Sequence, residues 1–246
     1  MRSDLFAPSH QEAGASQPGM VLQNSKMLKI ALVGEVLARR GSMVAYQGDV
    51  QFKALGSGGI GKFLKQQLTG EGVPLMKASG QGDVFLADAA ADVHLIDLDG
   101  SHDALTVNGK NVLAFEPTLS YDIRRVDGVG MYSVAGLYNC VFTGQGRIAI
   151  TAKGAPVVLN VDQPTYADPQ AAIAWSAALQ TGFHRADQIG LGTLLGRTGE
   201  LFTMSFAGQG FVIVQPSEEL PASMMSGTGS RDQSGPGGLL GGLMGR

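Results

Sequence analysis

The chain has little cysteine, little charge and no long apolar run, and each shortage excludes a class of protein. Its 246 residues contain one cysteine, Cys140, so no disulfide can form within a single chain. Charged residues make up 16% of the sequence and the formal net charge is −3, which offers no general attraction to nucleic acid or to anionic membranes. The sequence contains no run of 18 apolar residues, and its first residues lack the apolar core of a secretory signal. We therefore expect a soluble protein of the reducing cytoplasm, without a membrane span.

Glycine, in contrast, is abundant, with 36 residues. A high glycine content without a collagen-like period, combined with many short apolar runs, is typical of short strands separated by turns and bulges. The Asn108-Gly109 dipeptide is the strongest hairpin signal of this kind in the chain. The composition therefore favours an all-β fold over a helical one.

Two short markers recur along the sequence and predict an internal repeat. The tripeptide Gly-Gln-Gly begins at residues 80, 144 and 208, so the spacing is 64 residues both times, and each copy leads into a strand-like run. A triplet of an aliphatic residue, Ala and an aromatic residue precedes each copy, ending at Tyr46, Phe115 and Trp175. We interpret the chain as three tandem β units that form a β-sandwich resembling a double-stranded β-helix, with these three aromatic rings in the core.

Composition also divides the chain into three parts. Residues 1–19 have no periodicity and predict a mobile arm, residues 20–216 predict one β domain, and the Gly/Ser/Met-rich residues 217–246 predict a disordered tail. One helix is expected outside the sheet, near residues 60–69, where a modest apolar stripe is followed by Gly70 as a cap.

Residues 168–179 give conflicting signals. Asp168 and Pro169 resemble the start of a helix, and the alanines that follow favour one. The repeat alignment instead places Ile173 to Trp175 on a strand. We predict a strand here, because tertiary context commonly overrides local propensity.

Several patterns suggest chemistry, but none is complete. Gly56 to Lys62 fits the spacing of a phosphate-binding loop, yet Phe63 stands where Ser or Thr must ligate Mg²⁺, so we interpret it as a glycine-rich connection. Nucleophilic sets built from Ser133 or Cys140 with His184 lack the turn that marks such a nucleophile. We predict no catalytic, cofactor or metal residues and no bound cofactor.

A histidine and aspartate cluster was the strongest metal alternative. His94, Asp97, Asp99, His102 and Asp103 lie within ten residues, but His94 and Asp97 are three apart and point to opposite faces of a regular strand. A cupin-like site would require His94 and His102 to converge on one metal.

Two basic pairs offer a local exception to the acidic net charge. They lie at Arg39-Arg40 and Arg124-Arg125, and we interpret both as solvated strand ends. Nucleic-acid binding is accordingly not expected.

The segment 56–87, the run 103–117 and the later 171–175 together resemble the family named for altered inheritance of mitochondria. The markers are Gly70-Glu71-Gly72, the step from Gly80 to Gly82 into a strand, and Leu113 to Phe115, and the resemblance covers roughly residues 20–215. It implies a β-sandwich like that of the tryptophan RNA-binding attenuation protein and ring-like, often trimeric, assembly. It assigns no reaction, and it gives eukaryotic members a role in mitochondrial membrane organisation.

These observations favour a non-enzymatic, self-assembling scaffold or protein-interaction module, with a homotrimer as the expected assembly. The tail at 217–246 is a candidate site for a protein partner. Binding of a small ligand or RNA between subunits, and the cupin-like metal site, remain the alternatives.

Overall fold

The architecture comes from a computed structural model that describes residues 3–14, 17–55, 73–125, 138–185 and 202–217. Nearly all regular structure in these ranges is strand, and every strand pairing is antiparallel, which confirms the all-β prediction. The described part of the chain has no helix that is long and apolar enough to cross a bilayer. The predicted helix near 60–69 and the tail beyond residue 217 lie outside the described residues.

The described residues form fourteen strands. In chain order they are β1 (Gly19–Asn24), β2 (Met27–Arg39), β3 (Met43–Ala54), β4 (Leu75–Leu86), β5 (Asp92–Asn108), β6 (Val112–Phe115), β7 (Ser120–Arg125), β8 (Tyr138–Ala152), β9 (Val157–Val161), β10 (Thr165–Ala167), β11 (Ala172–Ser176), β12 (Gln180–Arg185), β13 (Phe202–Ala207) and β14 (Gly210–Val214).

The strands form one long sheet and one short sheet. The long sheet runs in the order β3-β4-β2-β6-β8-β5-β11-β14-β9, with β1 added to β2 and β7 to β8. The short sheet has the order β10-β13-β12. It packs on the long sheet through a shared cluster in which the rings of Trp175 on β11 and Phe206 on β13 meet edge to face at 5.5 Å.

Glycine allows close approach of neighbouring strands in the long sheet. Gly80 on β4 pairs with Gly34 on β2 and has φ +130°, a conformation that L side chains rarely adopt. A Cβ at Gly80 would collide with the carbonyl oxygen of Asp49 on β3. Residues of β2 before and after Gly34, among them Leu28 and Val36, are buried in the same cluster.

The first glycine of each Gly-Gln-Gly tripeptide has a positive φ: +130° at Gly80, +97° at Gly144 and +119° at Gly208. The first two tripeptides lie within β4 and β8, and the third leads directly into β14. All three positions therefore have a backbone conformation that glycine adopts more readily than other residues. The three-unit repeat itself stays a prediction.

The core confirms two of the three marker aromatics and corrects the third. Phe115 and Trp175 are buried, as expected. Tyr46 is 48% exposed, so its assignment to the core is wrong. The physical reason is its position on β3, the outermost strand of the long sheet, where the only ring contact is an edge-to-face one with Phe52 at 5.3 Å among the described residues.

The conflict at residues 168–179 is resolved in favour of a strand, since Ala172–Ser176 form β11 between β5 and β14. The Asp168 carboxylate does accept bonds from the amides of Gln170 and Ala171, at 2.6 and 3.2 Å. That local cap closes a turn, and the sheet contacts then determine the conformation that follows.

The prediction of a hairpin at Asn108-Gly109 is wrong, because the strands before and after this dipeptide do not pair with each other. A 3₁₀ turn at Gly109–Asn111 follows β5, and the chain then enters β6, which pairs with β2 and β8. The turn therefore moves the chain to another part of the sheet.

Part of the predicted N-terminal arm lies against the sheet. Residues 4–6 and 8–10 form 3₁₀ turns. The Glu12 carboxylate then accepts bonds from Gln47 at 2.7 Å and from the ammonium of buried Lys29 at 3.4 Å, and Lys29 also pairs with Asp83 at 3.0 Å. Burial alone would lower the pKa of Lys29, but the hydrogen bonds and charges of Asp83 and Glu12 raise it above its usual value.

A basic pocket and two open sheet edges

The strand ends of the long sheet meet around a pocket of about 200 Å³. Its walls come from five separate parts of the chain: the end of β2, the turn between β4 and β5, the 3₁₀ turn before β6, the end of β8 and the end of β14. The lining residues are Arg39, Asp88, Ala89, Ala91, Lys110, Asn111, Thr151, Ala152, Lys153 and Gln215. We call this the Arg39 pocket.

Arg39, the last residue of β2, provides the central cation of the pocket. Its Nη1 donates to the Asp88 carboxylate at 2.6 Å, and its side chain is only 17% exposed. Its Nη2 is buried and has no hydrogen-bond partner among the residues that the structure describes. A buried donor left unsatisfied costs about 1–3 kcal/mol. The guanidinium is thus fixed in place by one amino group, and the other has no acceptor.

Asn111 presents the complementary group. Its Nδ2 donates to the backbone carbonyl of Thr151 at 2.7 Å, which fixes the orientation of the amide, because a flipped amide would set two carbonyl oxygens against each other. Its Oδ1 is buried, and no described residue donates to it. Two lining residues, Arg39 and Asn111, therefore each have one buried polar atom without a hydrogen-bond partner in the described part of the chain.

Most of the charged residues in the pocket lining are basic. Arg39, Lys110 and Lys153 are basic, and Asp88 is the one acidic residue in the lining. The Lys110 ammonium donates to the side-chain and backbone oxygens of Gln170, at 2.6 and 3.2 Å. Basic residues therefore outnumber acidic ones in the lining.

The turn that supplies Asp88 is strained. Ala89 and Ala90 have φ values of +46° and +58°, and the amide of Ala91 donates to the carbonyl of Asp88 at 2.8 Å. These are the only non-glycine residues with positive φ in the described ranges. Left-handed backbone costs roughly 1–2 kcal/mol for a residue with a side chain.

A second corner of the sheet is built around Arg147, directly after the second Gly-Gln-Gly. Its Nε and Nη2 donate to both oxygens of Asp97, at 2.6 and 2.9 Å, and its Nη1 donates to the carbonyl of Met20 at 2.9 Å. Its amide donates to Glu116 at 2.9 Å. The Arg147 guanidinium lowers the pKa of Asp97 below its usual value, mainly through the hydrogen bond.

This pairing also bears on the proposed metal cluster. Asp97 forms an ion pair with Arg147. His94 is half-buried on β5, where it pairs with Ile150 of β8. Among the described residues, no group of three or more His, Cys, Asp or Glu side chains is arranged to hold a metal ion. The structure therefore does not bring the described members of the cluster into a ligand set, and it does not describe the side chain of His102.

The remaining sequence candidates have no site around them in the described regions. Cys140 is buried on β8, and burial together with the charge of Asp122 raises the pKa of its thiol to about 12, so the reactive thiolate does not form near neutral pH. Ser133 and the segment from Gly56 to Phe63 lie outside the described residues, and the side chain of His184 is not described.

The two terminal strands of the long sheet expose large apolar side chains. On β3, Val44 is 53% and Tyr46 48% exposed, and on β9, Val157 is 54% and Val158 60% exposed. Within the described ranges, each strand pairs on one side only. An exposed apolar edge is a ready surface for pairing with another chain.

Sequence reasoning missed the Arg39 pocket. Arg39 was interpreted as a solvated strand end. It does end β2, but its side chain is largely buried, and that part of the interpretation is wrong. The second pair fits better, since Arg124 is 66% exposed beside Asp122. The two pairs have no sequence signal that distinguishes them, because the burial of Arg39 comes from segments distant in sequence.

Comparison with known proteins agrees with this fold. A crystal structure of a protein from Streptococcus pyogenes is similar, with a TM-score of 0.64, 22% sequence identity, and coverage of 86% of this chain and 97% of that one. That likeness supports the fold alone. No curated protein matches the sequence. The likeness to the attenuation protein stays a prediction.

The family model of mitochondrial biogenesis AIM24 matches residues 20–217, a range that extends from the second residue of β1 to just beyond β14. The chain belongs to the mitochondrial biogenesis AIM24 family.

Proposed function

We propose that this protein is a non-enzymatic scaffold that assembles with copies of itself, as a trimer, through the two ends of its long sheet. The observation that carries the proposal is that both terminal strands, β3 and β9, expose large apolar side chains. Pairing β3 of one copy with β9 of the next would cover both edges at once. Because the two surfaces differ, the contact is head to tail and gives a closed ring when the rotation between copies closes.

Tyr46 and Val44 are the side chains most suited to such a contact. Tyr46 stands opposite Val84, which is completely buried, so it lies on the core-facing side of the sheet. It is exposed only because the sheet ends there. A strand from a second copy would extend the layer and cover the ring, which makes Tyr46 a core residue of the assembly in this proposal.

The environment of Cys140 supports a non-enzymatic role. Cys140, which is described, has its thiol pKa raised to about 12 and is a poor nucleophile. A free, buried thiol also agrees with our proposal of a reducing, cytoplasmic location. Partner binding through residues 217–246 remains part of the proposal and rests on the sequence alone.

RNA binding is less favoured. Two of the marker aromatics, Phe115 and Trp175, are buried in the chain and cannot stack on bases, and the net charge is −3. Tyr46 alone is not a stacking platform.

Native mass spectrometry with light scattering tests the assembly. Wild type is expected at three times the 25.6 kDa mass of one chain. Val44→Lys combined with Tyr46→Lys places two charges in the proposed contact and is expected to give single chains, as is Val158→Lys on the other edge. Circular dichroism confirms that the variants remain folded.

Val33→Lys is the matched control, because Val33 is 63% exposed but lies on β2, inside the sheet. It is expected to leave the assembly intact. A wild-type protein at 25.6 kDa, or edge variants that still assemble, would refute the proposal.

A further inference from the structure

We propose that Gln23, Lys29 and Gln47, on the first three strands, form a docking site for an extended peptide segment with a central acidic residue. The N-terminal arm occupies this site through Gln11 to Ala13, and a segment of the same chemistry from a partner protein displaces it. We call this the Gln23 site. The proposal goes beyond the scaffold role and does not depend on assembly, because the occupant and its contacts belong to one chain.

The side-chain amide of Gln23 on β1 binds the backbone of the arm on both sides of Glu12. Its Oε1 accepts from the amide of Ala13 at 2.8 Å, and its Nε2 donates to the carbonyl of Gln11 at 2.9 Å. A carbonyl and the amide two residues later point to the same side of an extended chain, as they do in a β-ladder. One carboxamide therefore replaces a strand partner, and it uses backbone groups that almost every peptide carries.

The carboxylate of Glu12 makes the contacts that depend on sequence. Its Oε1 accepts from the Nε2 of Gln47 on β3 at 2.7 Å, and its Oε2 lies 3.4 Å from the ammonium of Lys29 on β2. Both partners donate, and one of them is charged, so this position favours a carboxylate over a neutral or basic side chain. The backbone contacts thus place a peptide, and the central side chain selects it.

Residues of the sheet hold the cation of the site. The side chain of Lys29 is 6% exposed, and its ammonium pairs with Asp83 at 3.0 Å and lies 5.7 Å from the centre of the Phe85 ring. The pair with Glu12 is the longer of its two ion pairs, and the side chain of Glu12 is half-exposed. The sheet therefore positions the ammonium, and the arm adds the weaker contact.

The arm buries little apolar surface in the site. None of residues 3–14 is buried, and the two large apolar side chains among them, Leu5 and Phe6, are 66% and 57% exposed. Burial of apolar surface is the main favourable contribution to most protein association. An occupant held by hydrogen bonds and one half-exposed ion pair is therefore suited to exchange with a segment of another protein.

The site and its present occupant belong to different parts of the chain. Gln23, Lys29 and Gln47 lie inside the family match to residues 20–217, and the arm lies outside it. Gln47 also follows Tyr46 directly on β3, so the two side chains point to opposite faces of the sheet. Peptide docking at Gln47 therefore leaves the proposed assembly contact at Tyr46 free.

Fluorescence anisotropy on the full chain tests the proposal with a labelled peptide of residues 8–18. Glu12→Ala combined with Ala13→Pro removes the carboxylate of the arm and the amide that donates to Gln23, so the arm of this double variant competes poorly. The wild-type arm is tethered and competes at the effective concentration of a short linker, so we expect the double variant to bind the peptide at least about tenfold more tightly than wild type does.

Glu35→Ala is the matched control. Glu35 is also a carboxylate that pairs with a lysine, Lys77, at 2.8 Å, but it lies outside the site. We expect this variant to bind the peptide as wild type does. Equal binding by wild type and the double variant would show that the arm does not occupy the site, and would overturn the proposal.

Two further changes, made in the double variant, test the contacts themselves. Gln23→Leu removes the amide that holds the peptide backbone, and we expect binding to weaken by at least about fivefold, as it should when the labelled peptide carries Glu12→Gln. No binding to the double variant, or binding that Gln23→Leu leaves unchanged, overturns the site. Equal binding of the two peptides overturns the requirement for an acidic residue.

Native mass spectrometry distinguishes a partner protein from a second copy of this chain as the source of the segment. We expect the double variant to have the same assembly as wild type. A smaller assembly would mean that the arms join copies of the chain, which overturns the assignment of the site to a different protein.

Discussion

Arg147 and Arg39 both lie on strands of the long sheet, and both bind an aspartate, but they differ in how many of their guanidinium nitrogens are hydrogen-bonded. Each guanidinium nitrogen of Arg147 has an acceptor: two oxygens of Asp97 and the carbonyl of Met20. Arg39 donates to Asp88 through Nη1, and its Nη2 is buried without a partner among the described residues. All three guanidinium nitrogens are therefore bonded at Arg147, whereas at Arg39 the described residues leave one of them without an acceptor.

The backbone near Arg39 is strained, whereas no described non-glycine residue near Arg147 has a positive φ. The turn that carries Asp88 includes Ala89 and Ala90 with positive φ, and the described chain has no other non-glycine residue in that conformation. Strain of this kind persists where the surrounding structure imposes it, and it is common at binding sites. The two arginine–aspartate pairs therefore stand in different surroundings, one with all its guanidinium nitrogens bonded and one beside a strained turn.

The largest expected effect is the loss of stability when the bonds of Arg147 are removed. Arg147→Met removes the two bonds to Asp97 and the bond that holds β1 through Met20, and we expect the free energy of unfolding to fall by about 2 kcal/mol, a value already reduced for the exposure of the pair. Urea denaturation measures it. Arg124→Met is the control, with an expected change within about 0.5 kcal/mol, because that pair is about two-thirds exposed. A loss at Arg147 no larger than that at Arg124 would show that the corner is not a joint.

The sequence allowed prediction of features that depend on local pattern repeated along the chain. The all-β class followed from the glycine and strand-like runs, and the burial of Phe115 and Trp175 followed from their place in apolar runs. β11 was predicted against its own helical propensity because the repeat alignment carried information that the local residues did not.

Features that depend on which segments meet could not be predicted in this way. Tyr46 occupies the same kind of apolar run as Phe115, but β3 ends the sheet and leaves its ring uncovered. Arg39 resembles Arg124 in sequence, yet it is buried because the turn at Asp88 and the end of β8 come together around it. Edges and pockets are properties of strand order, which short-range patterns do not encode.

A smaller change in stability is expected from relieving the backbone strain in the turn beside Arg39. Ala90→Gly relieves a left-handed residue in the turn beside Arg39, and we expect it to raise the free energy of unfolding by about 0.5–1 kcal/mol. Ala91→Gly is the control: Ala91 is buried without a positive φ, so the same change should lower stability by about 1 kcal/mol. Thermal denaturation of both variants measures the contrast. If Ala90→Gly also destabilises the protein, the turn does not store strain.

The smallest expected effect is on the pH dependence of stability, and it tests whether the ion pair between Arg147 and Asp97 contributes to it. Because Arg147 lowers the pKa of Asp97 in the folded state, the pair contributes stability above the unfolded value of about 3.8, and this contribution is lost as the pH falls through the lower folded value. Asp97→Asn removes the titrating group. We therefore expect wild type to exceed this variant by less than about 1 kcal/mol at pH 5 to 6, since Asp97 is 65% exposed, and the difference to shrink as the pH falls below 3.8. Urea midpoints from pH 2 to 6 at fixed ionic strength measure it, and a difference that is independent of pH would mean that Arg147 holds this corner through neutral hydrogen bonds alone.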